Sequence, residues 1–219
     1  PYSPDTNSRQ DYVAIIENLD AGVARVLKAL DDPGLRENTS VMFTNDNGGE
    51  WLSDNGTLFN RKGSIWEGGL RVPAIFRWPA RIPAGRVSAQ VGITMDVTAT
   101  ILAATGTTVP AETRLEGVNL MPVLEGKSSE FERTLFWRDL YQSSYAVRSG
   151  NWKLVAQQDK DAFLFDLRTD VGERVDRLAP DLLPAVAAVD QHQRRLAAAL
   201  LHVRHLPAAR KRHPALLEP

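Results

Sequence analysis

Residues 39–49 read TSVMFTNDNGG, and the order of residue types in this stretch decides how the chain around it folds. Thr39 to Thr44 form a short, nearly continuous apolar run with β-branched members, the pattern of a buried strand. A helix precedes it: Tyr12, Ile15, Ile16, Leu19, Val23, Val26, Leu27 and Leu30 recur at three- and four-residue spacing over residues 9–30. Ser8 with Asp11 makes a capping pair at the start of that helix, and Pro33-Gly34 ends it. Helix followed by buried strand points to an α/β layer. Open α/β sheets bind ligands at the C-terminal ends of their strands, which is where Asp46 and Asn47 fall.

Two readings of that pair stay open on the residues alone. Asp-Asn-Gly-Gly is turn vocabulary, because Asn and Gly tolerate positive φ. A carboxylate beside an amide carbonyl is also a pair of hard oxygen donors suited to calcium or magnesium. Further along, residues 48–71 are rich in glycine and carry little periodicity, yet Trp51, Leu58, Phe59, Ile65 and Trp66 argue against disorder. Lys62 lies in this segment. By spacing it reads as a surface lysine; beside a metal, its compact ammonium would suit an anionic sulfate or phosphate ester. Gly63, Gly68 and Gly69 would let backbone approach a ligand closely. Glu67 and Arg71 suit a structural ion pair, and Trp51 and Trp66 suit either core packing or stacking on a sugar or aryl ring, with core packing the preferred reading.

Downstream, Val72 to Trp78 has the composition of a second strand, and Thr94 to Thr105 suits a helix with Thr94 as N-cap and Gly106 as its stop. From about residue 131 the segments LFWRDL, YAVRSGNWKLV and AFLFDLRTD are short, aromatic and β-branched, and read as an antiparallel sheet. Residues 181–203 return to a helical pattern, and the tail from His192 is basic.

Composition narrows the chemistry. The 219 residues are 43% apolar and 24% charged, as in a globular chain, and the formal net charge of -1 gives no electrostatic case for nucleic acid. No apolar run approaches the roughly 18–20 residues of a membrane helix, so no membrane partner is expected. The sequence contains no cysteine, and its four histidines (His192, His202, His205, His213) all lie near the C-terminus. Residues 1–191 therefore work with carboxylates, amides, Lys, Arg, hydroxyls and backbone, and a zinc site of the usual ligands is excluded there. No compartment is fixed by these features.

Taken in order, TSVMFTNDNGG, RKGSIWEGGLRVPAIFRWP, TMDVTATILAATG and LEGVNLMPVLEG resemble the C-terminal half of a type I, formylglycine-dependent sulfatase of the alkaline phosphatase-like superfamily. YAVRSGNWKLV and FLFDLRTDVGERVDRLA resemble that family's small C-terminal sheet subdomain, and YVAIIENLDAGVARVLKAL its preceding helix. The resemblance implies an α/β fold: the C-terminal part of an alkaline phosphatase-like sandwich, a mostly parallel sheet with helices, plus a small antiparallel-sheet and helix subdomain. Residues 1–128 would be the C-terminal portion of the catalytic domain. Residues 129–219 would be the small subdomain with its C-terminal helix and basic tail.

The resemblance further implies that Asp46 and Asn47 are the second pair of calcium ligands, with calcium expected ahead of magnesium. It makes Lys62 the catalytic lysine that contacts the sulfate group and the bridging ester oxygen. Asn47 favours a sulfatase over related phosphonate and phosphodiester hydrolases, which commonly carry His at that place. The family's formylglycine nucleophile arises from Cys or Ser in a C/S-x-P-x-R motif, and no such motif occurs in this sequence. Ala99 stands where the family's D-x-x-P-T segment usually has Pro. The chain begins without Met, and the expectation is part of a sulfatase, inactive alone and needing its N-terminal half or a second copy of itself as partner. The competing expectations are a non-catalytic calcium- or anion-binding module and a fragment of a phosphonate or phosphodiester hydrolase. If the strand at Thr39–Thr44 is separated from a larger sheet, apolar surface and sheet edge should be exposed.

Overall fold

A computed structural model of the chain describes residues 8–31, 34–139, 144–157 and 162–178. The helix expected over 181–203, the four histidines and the basic tail lie outside the described residues. The elements follow in the order α1 (Arg9–Asp31), β1 (Val41–Thr44), α2 (Glu67–Leu70), β2 (Ala74–Arg77), α3 (Met95–Thr105), α4 (Met121–Leu124), β3 (Thr134–Asp139), β4 (Ser144–Ser149), β5 (Trp152–Gln157) and β6 (Ala162–Asp166). They divide into two bodies, Pro1–Asp46 with Val72–Phe131 and Asn47–Arg71 with Glu132–Pro219, each described here by itself.

In the first body, α1 starts on the expected capping pair. The Ser8 hydroxyl accepts the Asp11 N–H at 3.1 Å, and the Asp11 carboxylate accepts the Ser8 N–H and O–H at 2.9 and 2.7 Å. Those Ser8 bonds hold the Asp11 carboxyl below its ordinary range. Gly34, at φ +72, and a bond from the Leu35 N–H to the Leu30 carbonyl close the far end. The helix is amphipathic as expected, yet none of its residues is buried, and Ile15 and Val26 remain 64% and 63% exposed.

Strand β1 forms where expected but is not a buried strand. Val41 and Met42 are half-buried, and Phe43 and Thr44 are exposed. Among the described residues its partner is β2 alone, which leaves its other edge unpaired. The pair is antiparallel, with Val41 opposite Arg77 and Thr44 opposite Ala74, so no parallel ladder occurs in the described residues. The α/β class stands, with both sheets antiparallel.

Helix α3 also forms, but Thr94 makes no side-chain cap bond. The fully buried Asp96 does that work. One of its oxygens accepts the Ile93 N–H at 2.8 Å and the other accepts the Val118 N–H at 2.9 Å. The Thr100 hydroxyl accepts the Leu120 N–H at 3.0 Å, which ties the approach to α4 onto the same helix. Gly106, at φ +67, ends α3 as the sequence predicts.

The second body is built on the sheet β3-β4-β5-β6, antiparallel throughout. YAVRSGNWKLV folds as a hairpin, β4 pairing β5 with Ser149 opposite Trp152 across Gly150 at φ +58. Period-two alternation gives the sheet two apolar faces. Val147, Leu154 and Leu164 face one way and pack with Ala162 and Leu178. Ala146, Val155 and Phe165 face the other and pack with Ile65, Trp66 and Leu167. The outer edge of β6 is covered: the Asp176 carboxylate accepts the Leu164 N–H at 3.0 Å, and the Arg177 N–H donates to the Leu164 carbonyl at 2.7 Å.

Candidate functional site

The glycine-rich segment of residues 47–71 folds on its own backbone. Gly48 N–H donates to the Gly69 carbonyl at 2.9 Å, Lys62 N–H to the Gly49 carbonyl at 3.0 Å, and Gly68 N–H to the Phe59 carbonyl at 2.8 Å. The glycines are required by contact. A Cβ on Gly48 would sit 1.7 Å from the Gly68 carbonyl oxygen, and one on Gly68 would sit 2.1 Å from the Asn60 carbonyl oxygen. Gly68 and Gly69 were expected to admit a ligand. They are buried and admit the chain's own backbone instead, because α2 is the hub on which both arms of the segment close.

This folding fixes where the expected site residues stand. Asp46 is exposed and Asn47, the next residue, is half-buried. Lys62 is exposed at a turn whose Asn60 and Gly63 have φ of +65 and +82, and its main chain is bonded two residues beyond Asn47. Among the described residues no ion pair engages its ammonium. The neighbouring Arg61 is occupied: it pairs with Glu50 at 3.6 Å and lies 3.5 Å over the Trp51 ring. Trp51 is 51% exposed, which corrects its reading as core, whereas Trp66 is core at 4% exposure. Trp66 stands edge-on to Phe59 at 4.9 Å and packs beside Phe165 at 5.6 Å, pinning the segment to the sheet.

Asp46 and Asn47 are hard oxygen donors of the kind calcium takes. Two donors meet only part of its shell of about six to eight oxygens. Among the described residues there is no group of three or more His, Cys, Asp or Glu side chains that could hold a metal. The pair fits calcium in kind and needs further ligands in number.

Beneath α2 lies a charged group the sequence reading did not single out. Lys153 on β5 is fully buried, and its Nζ lies 2.8 Å from Glu67 Oε1 and 2.8 Å from Glu173 Oε1. The other oxygen of Glu173 accepts the Glu67 N–H at 2.6 Å. Arg148 stands 3.8 Å from Glu67 Oε2, and Arg71 completes the expected ion pair with Glu67 at 3.5 Å. Burial pushes the Glu173 carboxyl up to about 7, against the lowering pull of the Lys153 ammonium. Burial also lowers the Arg148 guanidinium, which Glu67 offsets. Glu173 takes the left-handed conformation at φ +52, rare for a residue with a long side chain. The available signal for this group was the Lys within an otherwise apolar strand, NWKLV, whose alternation places Lys153 on an apolar face.

The family described as Sulfatase matches residues 2–107, and the one described as N-sulphoglucosamine sulphohydrolase, C-terminal, matches residues 56–196. The chain belongs to the sulfatase family, within the alkaline phosphatase-like superfamily. It is 36% identical over 154 residues to N-acetylgalactosamine-6-sulfatase of Canis lupus familiaris, covering 68% of this chain and 29% of that one. It is 32% identical over 224 residues to arylsulfatase A of Bos taurus, covering 85% and 44%. In fold it is similar to Ps i-CgsB, with a TM-score of 0.76 at 26% identity over 90% of this chain and 44% of that one. It is also similar to phosphonate monoester hydrolase of Agrobacterium radiobacter, with a TM-score of 0.62 at 23% identity over 90% and 41%. The chain thus spans less than half the length of these relatives.

Proposed function

We propose that this chain is the C-terminal part of a sulfuric ester hydrolase, in which Asp46 and Asn47 supply part of a calcium shell and Lys62 contacts the sulfate group. The observation that carries the reading is the bond from Lys62 N–H to the Gly49 carbonyl, which folds the lysine's turn back beside the residues following Asn47. Among the described residues no ion pair engages this exposed ammonium, which is available to an anion there. Calcium, when bound, would polarise sulfate oxygens. Lys62 would stabilise charge developing on the bridging ester oxygen as the sulfur–oxygen bond breaks. Trp51, half exposed and braced by Arg61, would offer a ring face to a sugar or aryl leaving group.

The nucleophile belongs to the part of the protein outside this sequence, and so does the rest of the metal shell. The chain on its own is therefore inactive in this proposal. Its partner is that N-terminal half, or a second copy of the chain, seated on the apolar surface of α1 and on β1 and β2, where Ile15, Leu19, Val26, Phe43 and Ile75 are exposed. Lys62→Ala in the protein encoded by the full gene should lower sulfate ester turnover at least about a hundredfold, measured against an aryl sulfate and a sugar sulfate. Calcium chelation should lower it as well. Near-normal turnover of Lys62→Ala sinks the role given to Lys62, and a preference for phosphonate or phosphate diesters overturns the sulfatase reading.

A further inference from the structure

The sheet body holds two buried carboxylates and a buried ammonium that no step of sulfate ester cleavage uses. Their placement is not that of a simple core ion pair. The register of the sheet sets Arg148 and Phe165 on either side of Lys153. Lys153 reaches out of the sheet to Glu67, the first residue of α2, and to Glu173 in the turn after β6. Glu173 in turn accepts the first N–H of α2. That turn is built to present it. The Asp170 carboxylate accepts the Arg174 and Val175 N–H groups at 2.9 and 2.8 Å, and Glu173 adopts its strained φ of +52 between them. Gly172 approaches so closely that a Cβ there would lie 2.7 Å from the Thr57 carbonyl oxygen.

The segment these groups grip is also pinned to the sheet core by Trp66, and its backbone contacts converge on α2. Gly68 N–H holds Phe59, the Gly69 carbonyl holds Gly48, and Gly69 packs against the Arg61 and Ser64 carbonyls. Every one of these contacts starts on α2. A helix of one turn has no stability of its own, so the position of the Lys62 turn is set by whatever fixes α2.

We propose that Lys153 and Glu173 are positioning residues for Lys62: they clamp the first turn of α2 to the sheet and through it hold the Lys62 turn at one geometry. The proposal rests on the sulfatase reading for what Lys62 does, but not for the clamp itself. The charged groups facing the clamp are Glu67 and Arg71 from α2 and its end, Arg148 from β4 and Lys153 from β5. With Glu173 raised to about 7 by burial, the clamp changes its charge near neutral pH.

The test is hydrogen exchange on the full chain, wild type against Glu173→Ala and Lys153→Met, reading the Gly48, Lys62 and Gly68 amides relative to the β4–β5 amides. In both variants these loop amides should exchange at least about tenfold faster relative to the ladder. An unchanged ratio overturns the clamp, because loss of stability alone moves both sets together. If Lys153→Met does not fold, Glu173→Ala, which leaves Lys153 its pairing with Glu67, decides by the same ratio. In the protein encoded by the full gene, Glu173→Ala should lower kcat with KM nearly unchanged and flatten the pH profile around 7. Absence of any sulfate ester turnover in the wild type would remove the sulfatase reading and leave the exchange result standing.

Discussion

The two bodies use similar apolar material to opposite ends. In the second, the alternating residues of β4, β5 and β6 are buried on both faces, and Val155, Leu164 and Phe165 are fully enclosed. In the first, α1 has a well-formed apolar stripe with nothing buried along it, and β1 and β2 pair with each other alone among the described residues. One body closes around its own core, and the other leaves apolar side chains of α1, β1 and β2 exposed. The difference shows that a correct pattern at the level of the helix or strand does not say who supplies the opposing surface.

That contrast can be tested at single side chains. Trp66→Ala removes the ring that Phe59, Phe163 and Phe165 surround, and should destabilise the sheet body by about 3–5 kcal/mol in urea unfolding followed by circular dichroism. A loss below about 1 kcal/mol would mean the sheet body is no better packed than the first.

The Glu173 carboxyl gives a second handle. Its value in the folded chain, about 7, lies above its ordinary 4.5, so the folded form holds the proton more tightly. The associated stability is fully present below about pH 4.5 and is lost as the pH rises through 7, by up to about 3 kcal/mol. Glu173→Gln should remove that slope, so that wild type and variant differ in their pH dependence between 4.5 and 7. Parallel curves would show that Glu173 titrates ordinarily.

The smallest effect sharpens the contrast most. Replacing Ile15 and Leu19 on α1 by Ser should change the chain's unfolding free energy by less than about 0.5 kcal/mol, because these side chains are already exposed. The same change should reduce self-association in sedimentation velocity if a second copy of the chain covers this face. A large loss of stability would show that the face is buried in solution.

Much of the architecture was legible in sequence because it rests on local rules. Helix α1 follows from its spacing and the Ser8–Asp11 cap, α3 from its span and Gly106, and the antiparallel sheet β3–β6 from its short aromatic and β-branched segments. The failures are all non-local. Thr94 looked like a cap, but Asp96 won because it also reaches Val118, twenty-two residues on. Thr39–Thr44 looked buried, but burial needs neighbours that a strand's own residues cannot announce. Gly68 and Gly69 signalled close approach correctly, without saying that backbone would be what approaches. Asp46, Asn47 and Lys62 enter the proposed site through motif order. The Glu67–Lys153–Glu173 group joins three distant segments: Glu67 was read only as the partner of Arg71, and Lys153 left a trace as the lone lysine of its strand.

The contact of Gly48 with Gly68 has a consequence for how such a protein diversifies. It works as a fixed pin, since no side chain can enter at either position without moving backbone. Residues 50–58 span the gap between Gly49 and Phe59, both tied to the pin's surroundings by main-chain bonds. That span is held at Asn55, whose side chain bonds Gly49 and Asn60, while Trp51 within it is exposed. Changes at its exposed positions can alter the surface the segment presents while the Lys62 turn at the other end keeps its place.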